Sequence, residues 1–379
     1  MQGGTHDTGG AQLRRVTRLA RAALGLYGLG DADFELLSYR PFVQVFRVKA
    51  RWRGEYALRL YRTPRQAAQE PTDPDPRPRI GVAMRSPGVL RSQLAWVSAL
   101  RRDSGLLVPT PVPTLDGDLV GDVCVEGTPW RRTSTLVKWV PGEHKREGLR
   151  KAHARKLGSF VAKMHAHAER YPLPEGSEFP CWDWHWPFGE VAALWREGPK
   201  VYSTVEMEVF CEAARRVRER LEGMGEGREV FGLVHRDPKL RNVVFSWRGV
   251  GVLDFDLSGL GHYLLDLAVL RENMGRVPEV PQAPLWGALL EGYERARPLR
   301  GPRTRLERHL DAFQAMRLTA AVNRQLKLLG SESTGQRGGR DPRLLRTTLT
   351  WLGERVRYLA TFPFTLGELP HALGEFLVV

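Results

Sequence analysis

The stretch that decides the fold is residues 231–270, which read FGLVHRDPKLRNVVFSWRGVGVLDFDLSGLGHYLLDLAVL. An apolar run leads into the spacing H-x-D-x-x-x-x-N, formed by His235, Asp237 and Asn242. The runs VVFS and VGVL that follow are short, apolar and separated by a turn around Trp247, so they predict a β-hairpin. Most of the chemistry that the chain can be expected to perform is concentrated here.

A hairpin this short brings its two ends together, because antiparallel strands lie about 4.8 Å apart. Asn242 comes just before the first strand and Asp254 just after the second, so we expect them side by side, with Asp237 close upstream. One amide oxygen and two carboxylates suit Mg²⁺, which binds a few protein oxygens together with substrate phosphates. The pattern therefore predicts the outline of a phosphoryl-transfer site.

The motifs HRDPKLRN, VLDFD, GLG and LLDLA resemble, in order and spacing, the signature of the aminoglycoside phosphotransferase and choline kinase-like family. That family shares its catalytic core with protein kinases. The resemblance implies an α+β, two-lobed protein kinase-like fold, with a small mainly-β N-lobe and a large mainly-helical C-lobe. It also implies ATP as the phosphate donor and Mg²⁺ as the cofactor.

The same resemblance assigns roles to residues of this stretch. Asp237 would be the catalytic base, which receives the proton of the acceptor hydroxyl. Asn242 and Asp254 would be the Mg²⁺ ligands. His235 and Asp266 would be structural residues that brace the catalytic loop.

Residues 11–140 are expected to form the N-lobe, after a polar, glycine-rich tail at 1–10 that we expect to be disordered. Strand-like patterns occur at 33–39, 43–50 and 55–61. Residues 62–88 are dense in proline and charge, and we interpret them as a surface loop insertion rather than a mobile flap.

The nucleotide-binding residues of the N-lobe follow from the resemblance. Arg59, in YALRLY, takes the place of the strand lysine that steadies the α- and β-phosphates, and Gln93 takes the place of the helix glutamate that pairs with it. A neutral amide cannot form that ion pair. The run LVKWVPG would be the hinge, where the backbone near Lys138, Trp139 and Val140 would contact adenine.

Residues 141–379 are expected to form the C-lobe. Its segment PCWDWHWPFGE, at 180–190, is unusually aromatic and resembles the substrate-side insertion of the family. Its tryptophans could line a substrate pocket, or they could form a packed aromatic corner; the sequence favours neither. The candidate acceptor contacts are Asp183, Trp184 and Asp256.

Other polar residues of this region carry weaker indications. His165 and His167 lie two positions apart on a predicted helix and do not face each other, so we interpret them as packing or surface histidines. Late helices often close the substrate cleft in this family, which makes Asp311 and Arg317 candidate contacts.

The composition is that of a globular protein, with 379 residues, a net charge of +14 and three scattered cysteines. The charge comes mainly from arginines spread along the chain, and no nucleic-acid-binding motif accompanies it, so we expect nucleic acid to be an unlikely partner. The odd cysteine count, the short apolar runs and the absence of a signal-like start favour a cytoplasmic protein without membrane spans.

The acceptor stays open at this stage. Arg236 and Lys239 match protein kinases rather than the usual glycine and histidine of the family, yet the chain lacks D-F-G and A-P-E segments. A small-molecule hydroxyl is therefore favoured, on an amino alcohol, a homoserine-like compound, a sugar or an aminoglycoside; Lys239 could approach the γ-phosphate. The alternatives are a stress-response Ser/Thr protein kinase of the same family and a nucleotide-binding pseudokinase without turnover.

Overall fold

The computed structural model describes residues 8–40, 42–62, 85–126, 131–145, 147–190, 192–277, 280–299 and 301–332, with positions 347 and 350. Most of the 62–88 insertion lies outside these residues. The described residues divide into two compact units. The first contains the residues up to 62, 85–102 and 108–140, and the second contains 103–107 and the residues from 141 onward.

The first unit is built on an antiparallel sheet of six strands in the order β1-β2-β3-β6-β4, with β5 also paired to β6. The strands are β1 (Asp33–Tyr39), β2 (Val43–Ala50), β3 (Gly54–Tyr61), β4 (Pro111–Val112), β5 (Gly121–Val123) and β6 (Arg132–Lys138). Two helices accompany them, α1 (Thr8–Leu26) and α2 (Pro87–Ser104).

Helix α1 begins at Thr8, so the expectation of disorder over residues 1–10 is wrong for its last three residues. The adjacent glycines at 9 and 10 have low helix propensity, which is why the sequence suggests a tail. The helix continues through them because its later turns are anchored: Leu19 and Leu24 are buried in one core with Phe46 and Leu58 of the sheet. Tertiary packing of one face therefore outweighs local propensity.

The second unit is mainly helical. Its helices are α3 (Lys151–Arg170), α4 (His185–Phe188), α5 (Ala193–Glu197), α6 (Thr204–Glu222), α7 (Leu264–Met274), α8 (Gln282–Ala296) and α9 (Arg303–Glu332). Two antiparallel pairs of short strands complete it, β7 (Phe231–Val234) with β10 (Gly259–His262), and β8 (Val243–Ser246) with β9 (Gly249–Val252). The predicted α+β class is confirmed.

Helices α3 and α8 approach each other at the level of their backbones. A Cβ atom on Gly158 would lie 1.9 Å from the carbonyl oxygen of Leu289, and one on Gly292 would lie 1.9 Å from that of Arg155. Only glycine fits at such a contact. This close packing holds α3, which carries His165, in a fixed position within the second unit. None of the described helices is both long and apolar enough to cross a membrane.

Candidate active site

The β8–β9 hairpin brings Asn242 and the residue before Asp254 together. Val243 pairs with Val252, and the Leu253 backbone N–H donates to the Asn242 carbonyl oxygen at 2.8 Å. Asp254 follows this paired position directly. The hairpin geometry expected from the sequence is present at the backbone level.

The loop between β7 and β8 folds around the carbonyl oxygen of Asp237. This oxygen accepts the Lys239 backbone N–H at 2.8 Å and the side-chain Nδ2 of Asn242 at 3.0 Å. The amide nitrogen of Asn242 is therefore committed to the loop. Its Oδ1 is the side-chain atom that remains to bind a cation.

Asp266, at the start of α7, holds the other side of this loop. Its carboxylate is fully buried and accepts the backbone N–H groups of His235 at 2.9 Å and Arg236 at 2.6 Å. It also lies 3.1 Å from Nε2 of His165. Hydrogen bonds to an ionised carboxylate are stronger than neutral ones, so Asp266 fixes two consecutive peptide groups just before Asp237.

His235 links the loop to the hairpin through both ring nitrogens. Nδ1 accepts the Asp237 backbone N–H at 3.3 Å, so Nε2 carries the proton and donates to the Leu253 carbonyl oxygen at 2.8 Å. The side chain is completely buried. His235 therefore sets the distance between the residue that precedes Asp254 and the backbone of Asp237.

Two residues of the site have a strained backbone. Among the described residues, three non-glycine residues have a positive φ, and two of these are Arg236 at 70° and Asp254 at 68°. L-residues rarely occupy this region, and such conformations persist where surrounding contacts impose them. Here the contacts of Asp266 and His235 supply that constraint on either side of the catalytic loop.

The Asp237 carboxylate is buried among cations. Oδ1 lies 2.9 Å from Nζ of Lys239, and Oδ2 lies 3.8 Å from Arg241. Burial alone would raise the pKa of Asp237, but the charges of Lys239, Arg236 and Arg317 outweigh it, so the pKa lies below its ordinary value. The carboxylate is therefore ionised at neutral pH, as a proton acceptor must be.

Lys239 also differs from an ordinary surface lysine. Burial lowers its pKa to about 8, although the neighbouring Asp237 carboxylate acts in the opposite direction. In this structure its ammonium group is paired with Asp237.

A buried charge cluster on α7 and α9 supports the loop, and sequence reasoning missed most of it. Glu272 accepts Nε and Nη2 of Arg317 at 3.1 and 3.0 Å and also binds Arg276. Burial would raise the pKa of Glu272, but the charges of Arg317, Arg276 and Lys239 outweigh this effect, so the pKa lies below its ordinary value. The adjacent Asn273 accepts the Leu240 backbone N–H at 3.3 Å. The signal in the sequence is the run RENM, which ends a buried helix whose other residues, apart from Asp266, are apolar.

The two late-helix residues named from the sequence have different surroundings. Arg317 belongs to the cluster just described and acts on the charge of Asp237. Asp311 binds Arg271 at 2.7 Å, and burial raises its pKa. Asp311 thus ties α9 to α7.

His165 belongs to the support of the catalytic loop. Its Nδ1 lies 2.9 Å from the Tyr293 hydroxyl, which in turn accepts a hydrogen bond from Arg297 at 3.3 Å. Burial lowers the pKa of His165, so the neutral ring donates from Nε2 to Asp266 and accepts from Tyr293 at Nδ1. His167 instead binds Asp103 at 3.2 Å. Both histidines are buried and hydrogen-bonded.

The aromatic segment forms a packed corner around an arginine of the catalytic loop. The guanidinium carbon of Arg236 lies 4.5 Å from the ring centroids of both Trp182 and Trp186, which we call the aromatic clamp. Trp182 is 1% exposed, and its indole N–H donates to the Leu257 carbonyl oxygen at 3.0 Å.

The other members of this segment also contact neighbouring residues. Asp183 accepts the His185 backbone N–H at 2.9 Å and lies 3.1 Å from Nδ1 of the same residue. Trp184 stacks on the His185 ring at 3.8 Å, and Arg218 lies 5.0 Å from the Trp184 centroid. Asp256 is half-buried. An acceptor contact by these residues stays a proposal.

Of the predicted nucleotide-binding residues, Lys239 belongs to the second unit and the others lie in the first. Arg59 is half-buried on β3, and Gln93 is 2% exposed on α2. Two backbone N–H groups of the hinge already have partners within the first unit. That of Lys138 donates to the Thr110 carbonyl oxygen at 2.8 Å, and that of Trp139 donates to the Glu55 carbonyl oxygen at 2.9 Å. A contact between the hinge backbone and a base stays a prediction.

Residues 40–299 match the sequence model of the APH phosphotransferase enzyme family. The chain belongs to this family. It is therefore a phosphotransferase, and its acceptor is an alcohol group. A comparison with curated proteins found no match.

Solved structures with the same fold have low sequence identity to the chain. A microcompartment-associated aminopropanol kinase is 23% identical, with a TM-score of 0.65 over 91% of this chain and 96% of its own. Amicoumacin kinase, solved with AMP-PNP, Ca²⁺ and its antibiotic, is 16% identical, with a TM-score of 0.68 over 93% and 96%. A choline/ethanolamine kinase family protein from Mesorhizobium loti is 17% identical, with a TM-score of 0.56 over 92% and 95%. These likenesses confirm the fold of the phosphotransferase.

Proposed function

We propose that the chain is an ATP-dependent phosphotransferase that moves the γ-phosphate to the hydroxyl of a small molecule. The observation that carries the proposal is the environment of Asp237. Its carboxylate is 3% exposed, is kept ionised by cations, and is carried on a loop whose peptide groups are bonded on both sides. A buried, ionised carboxylate beside a strained turn is typical of a functional site.

In this mechanism Asp237 orients the acceptor hydroxyl and receives its proton as the oxygen attacks the γ-phosphorus. Lys239 is paired with Asp237 at 2.9 Å before substrate binds. We propose that it turns toward the transferred phosphoryl group, where its charge offsets the negative charge of the equatorial oxygens. The pairing keeps both groups charged inside a buried site until then.

Asn242 and Asp254 have the donor chemistry that Mg²⁺ requires. The amide nitrogen of Asn242 is occupied by the Asp237 carbonyl, so its oxygen is the free donor, and Asp254 adds a carboxylate. Mg²⁺ usually completes its coordination with substrate phosphates and water, so two protein oxygens can suffice. When bound, Mg²⁺ would neutralise charge on the phosphates.

The nucleotide would be steadied by residues of the first unit. Arg59 can form two parallel hydrogen bonds to phosphate, which a lysine cannot. It lies on β3 with Tyr61 on the same face of the sheet, and Tyr61 packs on Leu90 of α2, the helix that carries Gln93. We propose that Gln93 supports Arg59 through a hydrogen bond in place of an ion pair, and that the Val140 backbone contacts the base.

The acceptor we favour is an amino alcohol or a related small hydroxyl compound. Proteins that share the fold include an aminopropanol kinase and a choline/ethanolamine kinase family member, as well as antibiotic kinases. Asp183, Trp184 and Asp256 are the proposed acceptor contacts. The three cysteines, Cys124, Cys181 and Cys211, are free and exposed, and we propose the reducing cytoplasm as the site of action.

The experiment is an ADP-release assay with Mg-ATP and a panel of amino alcohols, sugars, aminoglycosides and a casein-like protein. Wild-type protein should turn over at least one small acceptor, and Asp237→Asn should lower kcat by about 10²–10⁴-fold. Asp103→Asn, which alters a histidine-paired aspartate outside the site, is the matched control and should leave turnover unchanged. Equal rates for wild type and Asp237→Asn would refute the mechanism, and transfer to casein alone would make the chain a protein kinase.

A further inference from the structure

The side chain of Arg236, which follows strand β7 by two residues, is held between two tryptophan rings. Its guanidinium lies 4.5 Å from each ring of the aromatic clamp, and the two rings stand nearly perpendicular, at 88° with centroids 5.2 Å apart. Its backbone N–H donates to Asp266 at 2.6 Å, and its φ of 70° is strained. The residue is thus fixed at both its backbone and its side chain.

The aromatic clamp is itself anchored to the strand pair that leads into the catalytic loop. The Trp182 backbone N–H donates to Leu260 of β10 at 2.8 Å, and its indole N–H donates to Leu257 at 3.0 Å. Strand β10 pairs with β7, where Gly259 lies opposite Val234, two residues before Arg236. The clamp and the residue that it holds therefore share one small, rigid substructure.

We propose that Arg236 is a positioning residue of the catalytic loop, and that the cation held by the aromatic clamp is the protein's own guanidinium rather than part of a substrate. The tryptophans would thereby maintain the strained turn that presents Asp237. The expected change in kcat rests on the proposed function. The binding of a guanidinium group between the two tryptophans does not depend on it.

Cation–π chemistry explains why arginine suits this place. A planar guanidinium can lie against an aromatic face and keep its N–H groups directed outward, whereas an ammonium group is compact and more strongly hydrated. The interaction strengthens when the cation is removed from water. Trp182 is almost fully buried, so the clamp offers a partly desolvated position.

The decisive variant is Arg236→Gly, which removes the cation and leaves a residue that adopts a φ of 70° without strain. We expect kcat to fall about 10- to 100-fold, the cost of losing a desolvated cation–π contact at the loop, with little change in the KM for ATP. Methylguanidinium at low millimolar concentration should refill the clamp. It should restore part of kcat in a saturable manner and raise the Tm of the variant.

Two further variants complete the test: one separates the charge of Arg236 from its shape, and the other is a control. Arg236→Lys keeps the charge but loses the planar group, so its kcat should also fall, and methylguanidinium should not rescue it because the lysine stem fills the clamp. Arg248→Gly is the matched control: it removes an arginine that lies 4.9 Å from the exposed ring of Trp247 at the hairpin turn. It should keep wild-type kcat and show no response to methylguanidinium.

The proposal is overturned if Arg236→Gly keeps kcat within about twofold of wild type, or if methylguanidinium changes neither its Tm nor its turnover. The measurement of Tm with and without methylguanidinium needs no substrate. If wild-type protein shows no turnover with any acceptor, the proposed function fails, while the methylguanidinium-dependent rise in Tm still decides whether the clamp binds a guanidinium.

Discussion

The contacts of Asp266 give a quantitative prediction for the substitution Asp266→Asn. The carboxylate accepts two backbone N–H groups, from His235 and Arg236, and faces Nε2 of His165. An asparagine side chain of the same shape has only one oxygen. Whichever way the amide is turned, its NH₂ group faces one of the two backbone N–H donors, and that donor loses its acceptor.

The magnitude follows from this geometry. A buried N–H group left without a partner costs about 1–3 kcal/mol, and the remaining bonds lose the charge that strengthens them. A total of about 3 kcal/mol is a large part of the roughly 5–15 kcal/mol that stabilises a typical protein. With an unfolding entropy of about 2.1 cal/mol/K per residue, a chain of 379 residues loses roughly 1.3 °C of Tm per kcal/mol, so Tm should fall by about 4 °C. Turnover should fall as well, because the freed peptide group immediately precedes Asp237.

Differential scanning calorimetry and the ADP-release assay measure the two effects. The matched control is Asp103→Asn, since Asp103 also pairs with a histidine, at 3.2 Å, but its side chain is 41% exposed. A paired carboxylate that exposed is worth about 0–1 kcal/mol, so the Tm of the control should fall by no more than about 1 °C. If Asp266→Asn and the control show the same Tm, the bracing role derived for Asp266 is wrong.

Three further predictions concern packing, charge and pH. Gly158→Ala should cost at least about 1–3 kcal/mol in urea unfolding, since its methyl group would meet a backbone carbonyl at 1.9 Å, whereas Gly287→Ala in open space should be neutral or stabilising. Glu272→Gln should cost about 3–5 kcal/mol and lower kcat, because Arg317 would keep a buried charge without its counter-ion; an unchanged urea midpoint would contradict this. His309 has its pKa lowered to about 4 by burial, so the unfolded chain takes up the proton first and stability falls as the pH drops from about 6.5 toward 4. His309→Asn should therefore show a smaller loss of Tm between pH 7.5 and 5; an equal loss would exclude His309 as a cause.

The arrangement of the candidate reacting residues could be predicted from the sequence because it is local. Asp237, Asn242 and Asp254 lie within one short loop and one hairpin, and the spacing H-x-D-x-x-x-x-N followed by two strands predicts their arrangement from chain geometry alone. The α+β class was implied by the resemblance of the motifs to the family, and the strand patterns at 33–39, 43–50 and 55–61 agree with it, because such patterns are properties of consecutive residues.

What supports these residues could not be predicted in the same way. Glu272 meets Arg317, 45 positions later, and His165 meets Asp266, 101 positions later. Such pairs depend on how helices pack, and no local pattern encodes a contact between distant segments.

The aromatic segment is the clearest case. The sequence showed three tryptophans beside an aspartate and left a substrate pocket and a packed corner equally open. Only the tertiary structure put Arg236 between Trp182 and Trp186. The composition of a segment states which interactions its side chains can make, while the fold decides which partner is within reach. Local sequence thus identifies the candidate reacting groups, and tertiary packing decides how they are held.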